Sequence, residues 1–177
     1  YKGQLKNNIK ARMKKKLSAF LYSKQQYAIW DDHDYGSNNS DASFKEKESS
    51  LNVFQQFWTN PKNDTFNYYT FQQQDGQFFM LDDRYNNNDN KLVLGNTQLD
   101  WLKKELQNSS ATFKFIGIGM QALNPLSTKE CFYKTDKEYK ELIEFIKTQH
   151  ISGVLFISGD RHHAELMRIK EKGLYPL

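Results

Sequence analysis

Three carboxylates and a histidine occupy four consecutive positions, Asp31, Asp32, His33 and Asp34. They follow an apolar run at 26–30, which we interpret as a buried strand that ends at a polar loop. Charged side chains at the end of a buried strand are costly unless a partner compensates them. Carboxylate oxygens and an imidazole nitrogen both suit a divalent or trivalent cation. The cluster therefore indicates a metal site, and an acidic loop that only caps a strand or helix is the alternative interpretation.

A second polar cluster follows another apolar run. The run at 153–158 leads to Asp160, His162, His163 and Glu165. Asp160 and His162 lie two residues apart, so in an extended segment both side chains lean toward one side. A solvated turn with incidental histidines is the alternative. An open α/β sheet binds ligands at the carboxyl ends of its strands, and two clusters after two strands fit that arrangement.

Hydrophobic periodicity predicts the elements that position these clusters. Helices are predicted at 4–21, 51–58, from a cap at Asn96 or Thr97 through 107, and at 136–149. Strands are predicted at 26–30, 67–74, 77–81, 113–118, 153–158 and, beginning near the end, 167–170. Asp75-Gly76 separates two of the strands and is a strong hairpin signal. Alternating helices and strands indicate an α/β layered architecture, with one domain over residues 1–177.

The bulk properties exclude several classes of protein. The 177 residues include 38% apolar and 15% aromatic residues, which excludes a disordered chain. Because no apolar run approaches the roughly 20 residues of a membrane span, we expect no transmembrane segment. The sequence begins with Tyr1 rather than Met, so we expect the natural N-terminus to lie upstream. A single cysteine, Cys131, excludes an internal disulfide.

Basic charge is concentrated in one segment. Residues 1–24 contain eight Lys and Arg and no acidic residue, whereas the remaining residues carry a formal charge of −4. The overall charge of +4 therefore does not indicate a general affinity for nucleic acid. The segment could present a surface to anionic lipid or nucleic acid. We favour an ordinary helix with solvated lysines, whose apolar stripe, which includes Leu5, Ile9 and Met13, covers a sheet.

An arginine follows two acids in the stretch Leu81-Asp82-Asp83-Arg84. An arginine beside carboxylates usually forms an ion pair. A guanidinium is also a planar fork that binds the oxygens of a phosphate group. Both interpretations of Arg84 stay open at this point.

Four motifs together resemble one protein family. They are Trp-Asp-Asp-His-Asp-Tyr-Gly at 30–36, Leu-Asp-Asp-Arg at 81–84, Leu-Gly-Asn-Thr-Gln-Leu-Asp-Trp-Leu at 94–102 and Ser-Gly-Asp-Arg-His-His-Ala-Glu at 158–165. In this order they resemble the PhoD-like metallophosphatases, alkaline phosphatase D relatives within the calcineurin-like phosphoesterase superfamily. The resemblance implies a four-layer αββα sandwich, with two β-sheets flanked by helices around a metal centre. It also implies hydrolysis of phosphomonoesters or phosphodiesters.

The resemblance assigns roles residue by residue. In the wider superfamily an Asn-His-acid motif supplies a metal ligand and a histidine, and here Asp32 and His33 occupy those positions. The resemblance thus implies that Asp32 binds metal, while His33 stabilises the phosphoryl oxygens or protonates the leaving group. The closing Gly-His-x-His motif places Asp160 and His162 on the metal. Gln121 stands where the superfamily often has another histidine ligand.

The same resemblance implies a phosphate-binding role for Arg84 and two or more metal ions, whose identity among iron, calcium, manganese and zinc stays open. The superfamily's opening motifs, a strand ending in Asp and a Gly-Asp pair, do not occur in residues 1–29. We therefore expect an incomplete sandwich that lacks the N-terminal metal motifs. We expect a phosphoester substrate and no specific nucleic acid. The alternative is a non-catalytic binding module whose basic N-terminal helix engages anionic lipid or nucleic acid.

Overall fold

A four-stranded sheet lies at the centre of the protein. The computed structural model describes residues 2–61, 65–88, 91–170 and 172–174. The strands are β1 (Tyr69–Gln73), β2 (Gly76–Met80), β3 (Phe113–Ile118) and β4 (Val154–Ser158), and they lie side by side in that order. β1 and β2 form the predicted antiparallel hairpin, while β3 and β4 run parallel to β2. The carboxyl ends of β2, β3 and β4 therefore meet at one edge of the sheet.

The described residues also form six α-helices. They are α1 (Lys2–Arg12), α2 (Lys15–Ser23), α3 (Asp32–Tyr35), α4 (Lys47–Phe57), α5 (Gly95–Asn108) and α6 (Lys137–Thr148), with a 3₁₀ turn at Phe132–Thr135. The helices α4, α5 and α6 lie where the periodicity predicts helices, and the strands predicted at 113–118 and 153–158 are also present. Among the helices described, each is too short or too polar to cross a lipid bilayer.

One face of the sheet packs against α5 and α6. Alternate side chains of β2 and β3 point toward these helices, as the two-residue period of a strand requires. The buried residues are Phe79, Leu81, Ile116 and Ile118 from the sheet, Leu99, Leu102 and Leu106 from α5, and Leu142, Ile143 and Ile146 from α6. The α/β class is thereby confirmed, with helices flanking one four-stranded sheet. The second sheet of the expected sandwich is not formed by the part of the chain that the structure describes.

The opposite face of the sheet carries a row of aromatic rings. Phe71 stacks on Phe78 with a centroid distance of 4.8 Å, and Phe78 stacks on Phe115 at 4.7 Å. Tyr27 extends the row, with its ring 3.7 Å from that of Phe71. The segment containing Tyr27 thus crosses this face on its way to Asp31 and the loop that follows.

Three local predictions are wrong. The helix predicted at 4–21 is two helices, because Lys14 has an extended backbone and Ser18 Oγ donates to the carbonyl oxygen of Arg12, at the end of α1. Its apolar stripe does not cover the sheet, since neither α1 nor α2 contains a buried residue. Residues 26–30 are not a strand. The Asn60 amide accepts from Ala28 N at 3.0 Å and donates to Ala28 O at 2.8 Å, in place of a neighbouring strand.

Two further details differ from the sequence-based expectation. The segment 167–170 has no strand structure. Helix α5 begins at Gly95, with a φ of 76°, and no side chain of Asn96 or Thr97 caps it. A positive φ favours glycine, because a Cβ atom would be strained there.

A buried carboxylate caps α5 instead. Glu138 lies at the start of α6 and is only 1% exposed. Its Oε2 accepts hydrogen bonds from Val93 N at 2.6 Å and Leu94 N at 3.1 Å, and its Oε1 accepts one from Gly95 N at 2.7 Å. The first N–H groups of a helix have no partner within the helix, and a negative charge at that end is favourable. Glu138 therefore joins α5 to α6.

Glu138→Ala should lower the free energy of unfolding by about 2–4 kcal/mol, because it leaves three buried N–H groups without their charged acceptor. Urea denaturation followed by tryptophan fluorescence measures the loss. Glu144→Ala on the same helix is the matched control, since Glu144 is exposed and forms a surface ion pair with Lys147, so its change should stay within about 0.5 kcal/mol. Equal losses for the two variants would contradict the capping role.

Candidate active site

Three segments converge at the carboxyl edge of the sheet. Gly159 N, after β4, donates to Gly119 O, after β3, at 2.9 Å. A Cβ atom built on Gly119 would lie 2.8 Å from both Trp30 O and Asp83 Oδ2, so no larger residue fits there without displacing its neighbours. The close approach at Gly119 brings the chain before Asp31 beside the chain before Asp160. The two polar clusters of the sequence therefore lie at the same edge.

Asp31 and Asp160 line one cavity of about 550 Å³ at this edge. The cavity continues over the aromatic face of the sheet, past Phe71 and Phe115. Partial desolvation, together with the negative charges of Asp31 and Asp32, raises the pKa of Asp160. Asp160 also has a φ of 66°, in the left-handed region that Asp tolerates better than most residues. Burial and the neighbouring carboxylates thus outweigh the opposing charge of Arg161 at Asp160.

Asp32 has a structural task in the loop that follows. It is 7% exposed, and its carboxylate accepts hydrogen bonds from His33 N at 2.7 Å and Asn39 N at 2.8 Å. These bonds fix the first turn of α3 and the loop after it. Asp31, to which the family resemblance assigned no role, raises the pKa of Asp160 more than Asp32 does.

The predicted histidines lie at the surface of this edge. His33 and His162 are both exposed, and neither imidazole forms a hydrogen bond with the residues that the structure describes. Gln121, in the position of a superfamily histidine, is buried and donates from Nε2 to Glu165 Oε2 at 2.7 Å. Gln121 therefore ties the loop after β3 to the segment after His162.

The side chains described at this edge are of the types that bind metal ions, but they are not arranged around a common point. Carboxylates and imidazoles from both clusters are the ligand types that hard cations take, and a cation would offset the charges of Asp31 and Asp32 that raise the pKa of Asp160. Within the described residues, however, no three His, Cys, Asp or Glu side chains are placed to hold one ion together. A complete coordination sphere would need rearrangement of these side chains or further ligands.

Arg84 forms ion pairs at the base of the site and is completely buried. Its Nε donates to Asp31 Oδ1 at 2.8 Å and its Nη2 contacts the same oxygen. The other side of the guanidinium faces Glu130, with Nη2–Oε2 at 3.0 Å and Nη1–Oε1 at 3.3 Å. Burial alone would lower the pKa of Arg84, but the charges of Asp83, Glu130 and Asp31 raise it above its ordinary value. Arg84 therefore forms the ion pair that was one of its two interpretations. Its catalytic, phosphate-binding role stays a prediction.

The two acids before Arg84 are buried as well. Asp82 Oδ1 accepts from the indole Nε1 of Trp30 at 2.7 Å and from the backbone N of Arg84 and Tyr85 at 3.0 Å each. Asp83 Oδ2 accepts from Met120 N at 2.6 Å, and burial raises the pKa of Asp83 well above its ordinary value. The loop after β2 therefore holds both the segment before Asp31 and the loop after β3.

Two residues of this arrangement escaped the sequence reasoning. Glu130 stands alone in a polar loop and carries no periodic or motif signal. Gln98 lies within the third motif, where the apolar spacing drew attention to its neighbours. Its amide donates to Asp82 O at 2.7 Å and accepts from Asp82 N at 2.8 Å, so that α5 clamps the loop after β2. Its place inside the third motif is the sequence signal that could have pointed to it.

Arg84→Met should lower the free energy of unfolding by about 3–5 kcal/mol, since it removes the cation from buried carboxylates that then lack compensation. Urea unfolding followed through the fluorescence of Trp30 and the other tryptophans measures the change. Lys103→Met is the matched control. Lys103 also contacts two acids, Asp100 at 2.8 Å and Glu141 at 2.6 Å, but near the surface, where such pairs contribute less than about 1 kcal/mol. A loss for Arg84→Met no greater than for the control would show that the buried pairs do not hold the site.

Comparison with known proteins agrees with this architecture. The fold is similar to that of the solved structure of PhoD, with a TM-score of 0.62 and 18% sequence identity over 76% of this chain and 34% of that one. The chain thus spans about a third of the length of that protein. No curated protein matches the sequence significantly. The sequence model of the PhoD-like phosphatases matches residues 5–175, nearly the entire chain, and this chain therefore belongs to the PhoD-like phosphatase family.

Proposed function

We propose that this chain is part of a metal-dependent phosphoester hydrolase whose site lies at the carboxyl edge of the sheet. The observation that supports it is the convergence, at Gly119, of the segment leading to Asp31–His33 and the segment leading to Asp160–His162. Membership of the PhoD-like phosphatase family supports phosphoester hydrolysis as the reaction class.

The residues of the two clusters would hold the metal ions. Asp32, Asp160 and His162 are the proposed ligands, with Asp31 as a further carboxylate on the cavity that Asp160 lines. Metal ions bound there would supply a water of lowered pKa and charge neutralisation for the phosphoryl oxygens. The hydrogen bonds of Asp32 to His33 N and Asn39 N hold this carboxylate and its loop at the edge.

His33 is the proposed acid of the reaction. Its backbone is fixed in α3 by Asp32, while its imidazole is exposed at the mouth of the edge and can approach a substrate oxygen. If the imidazole donates a proton to the leaving oxygen, a full negative charge does not develop on that oxygen. A hydrogen bond to a phosphoryl oxygen is the other role open to the same group.

For Arg84 the geometry supports a positioning role. The guanidinium holds Asp31 on one side and Glu130 on the other, and it is completely buried. Direct contact with phosphate oxygens would require it to leave these carboxylates. In its present place Arg84 sets the position of Asp31 at the wall of the cavity.

The reaction class is tested by hydrolysis of bis(p-nitrophenyl) phosphate and p-nitrophenyl phosphate by the protein. Activity on either ester should disappear after treatment with a chelator and return when a metal among iron, calcium, manganese and zinc is added back. Release of nitrophenolate measures turnover. Undiminished hydrolysis after complete removal of metal, verified by elemental analysis, would contradict metal-dependent catalysis.

His33→Ala should lower kcat by about 10²- to 10⁴-fold, the usual contribution of a general acid, with metal content unchanged. His162→Ala should instead lower the metal content, because it removes a proposed ligand. Elemental analysis separates the two effects. His150→Asn is the control: His150 follows α6 with a φ of 54°, a conformation that Asn tolerates, and its replacement should leave both quantities unaltered. Normal turnover in His33→Ala would exclude the proposed role of His33.

A further inference from the structure

Several large apolar side chains of α1, of α2 and of the turn between them are exposed. No residue of either helix is buried. Met13 is 77% exposed and Phe20 58%, and Ile9 and Leu17 are also exposed. An exposed group of large apolar side chains is uncommon on a protein surface unless it meets a partner.

Lysines border these apolar side chains. Lys14, Lys15 and Lys16 are all exposed, and residues 1–24 contain eight basic residues and no acid. Lys16 and Phe20 are four residues apart on α2, and Leu17 and Phe20 are three apart, so they are neighbours on the helix surface. The basic apolar patch consists of Met13, Lys14, Lys15, Lys16, Leu17 and Phe20.

The patch directly follows α1, which is fixed to the rest of the protein at both of its ends. Gln4 Nε2, in α1, donates to Asp34 O at 2.8 Å and to Tyr35 O at 3.0 Å, in the loop of the candidate site. At the other end of α1, Arg12 Nη2 donates to Phe57 O at 2.9 Å, and its guanidinium lies 4.7 Å from the ring centroids of both Phe57 and Trp58. Cation–π contacts of this kind hold the end of α1 against α4.

We propose that the basic apolar patch docks on the surface of an anionic lipid bilayer. A bilayer interface accepts both components of the patch, since lysine ammonium groups pair with lipid phosphates while Phe and Leu side chains enter the boundary of the acyl chains. The lysine stems reach along the apolar surface and keep their charges at the headgroups. The phosphates of a nucleic acid would pair with the lysines but offer no apolar layer for the aliphatic side chains of Met13 and Leu17. The combination of charge and aliphatic exposure therefore favours lipid.

The first test is co-sedimentation of the protein with vesicles. Vesicles of phosphatidylcholine with about one third phosphatidylserine should bind the protein, and pure phosphatidylcholine vesicles should not, because the attraction of lysines requires anionic lipid. Raising the salt concentration should weaken the binding, since salt screens exposed charges. No binding to the anionic vesicles at low salt would overturn the proposal.

Matched charge variants assign the binding to the patch. The patch variant carries Lys14→Ala, Lys15→Ala and Lys16→Ala, and the control carries Lys104→Ala, Lys137→Ala and Lys140→Ala on α5 and α6. Both lose three positive charges, and alanine maintains helix propensity in both. The patch variant should bind anionic vesicles about tenfold or more weakly than the control variant. Equal binding of the two variants would overturn the proposal, because it would show that only net charge matters.

A second pair of variants tests the apolar component. Phe20→Ser should weaken vesicle binding, whereas Leu126→Ser, at a side chain 86% exposed outside the patch, should not. A different result is that the protein binds a single-stranded RNA oligonucleotide through the three lysines and does not bind vesicles. That result would identify nucleic acid as the partner and overturn the proposal. Self-association that Phe20→Ser abolishes, again without vesicle binding, would overturn it in favour of a second copy of the chain.

Discussion

The guanidinium of Arg84 is the interaction on which the candidate site depends. It lies completely buried between Asp31, Glu130 and Asp83, which come from three different stretches of the chain. Buried carboxylates are unfavourable unless they are paired, and a buried arginine is equally unfavourable alone. The attraction between the guanidinium and the carboxylates therefore offsets the cost of burying them. It also holds the three stretches of chain together at this point.

The neighbouring polar contacts extend this network across the edge of the sheet. Asp82 holds the indole of Trp30, Asp83 holds Met120 N, and Gln98 clamps the backbone of Asp82. The loop after β2 thus joins α5, the loop after β3 and the segment that leads to Asp31. Arg84 pairs with Asp31 at the base of the site, while burial and the charges of Asp31 and Asp32 raise the pKa of Asp160, which lines the same cavity.

Local pattern predicted the elements best where each is stabilised by its own periodic burial. The hairpin, α4, α5, α6, β3 and β4 have apolar faces that pack on the core, and all were predictable. Prediction was wrong where a single side chain replaced a regular partner. Asn60 satisfies the backbone of Ala28 that a neighbouring strand would have satisfied, and Ser18 bonds the carbonyl of Arg12 where α1 ends. Periodicity contains no information about such individual contacts.

The sequence by itself determined the α/β class, the family and the two polar clusters at the ends of apolar segments, because these follow from composition, short-range spacing and contiguous motifs. Only the tertiary structure decided which charges pair. Arg84 meets Asp31 and Glu130 across 53 and 46 positions of sequence, and Glu138 meets Gly95 across 43. The fold of the chain through the sheet brings these distant partners together. The energy of a buried ion pair depends on its three-dimensional geometry, which the order of the residues does not reveal.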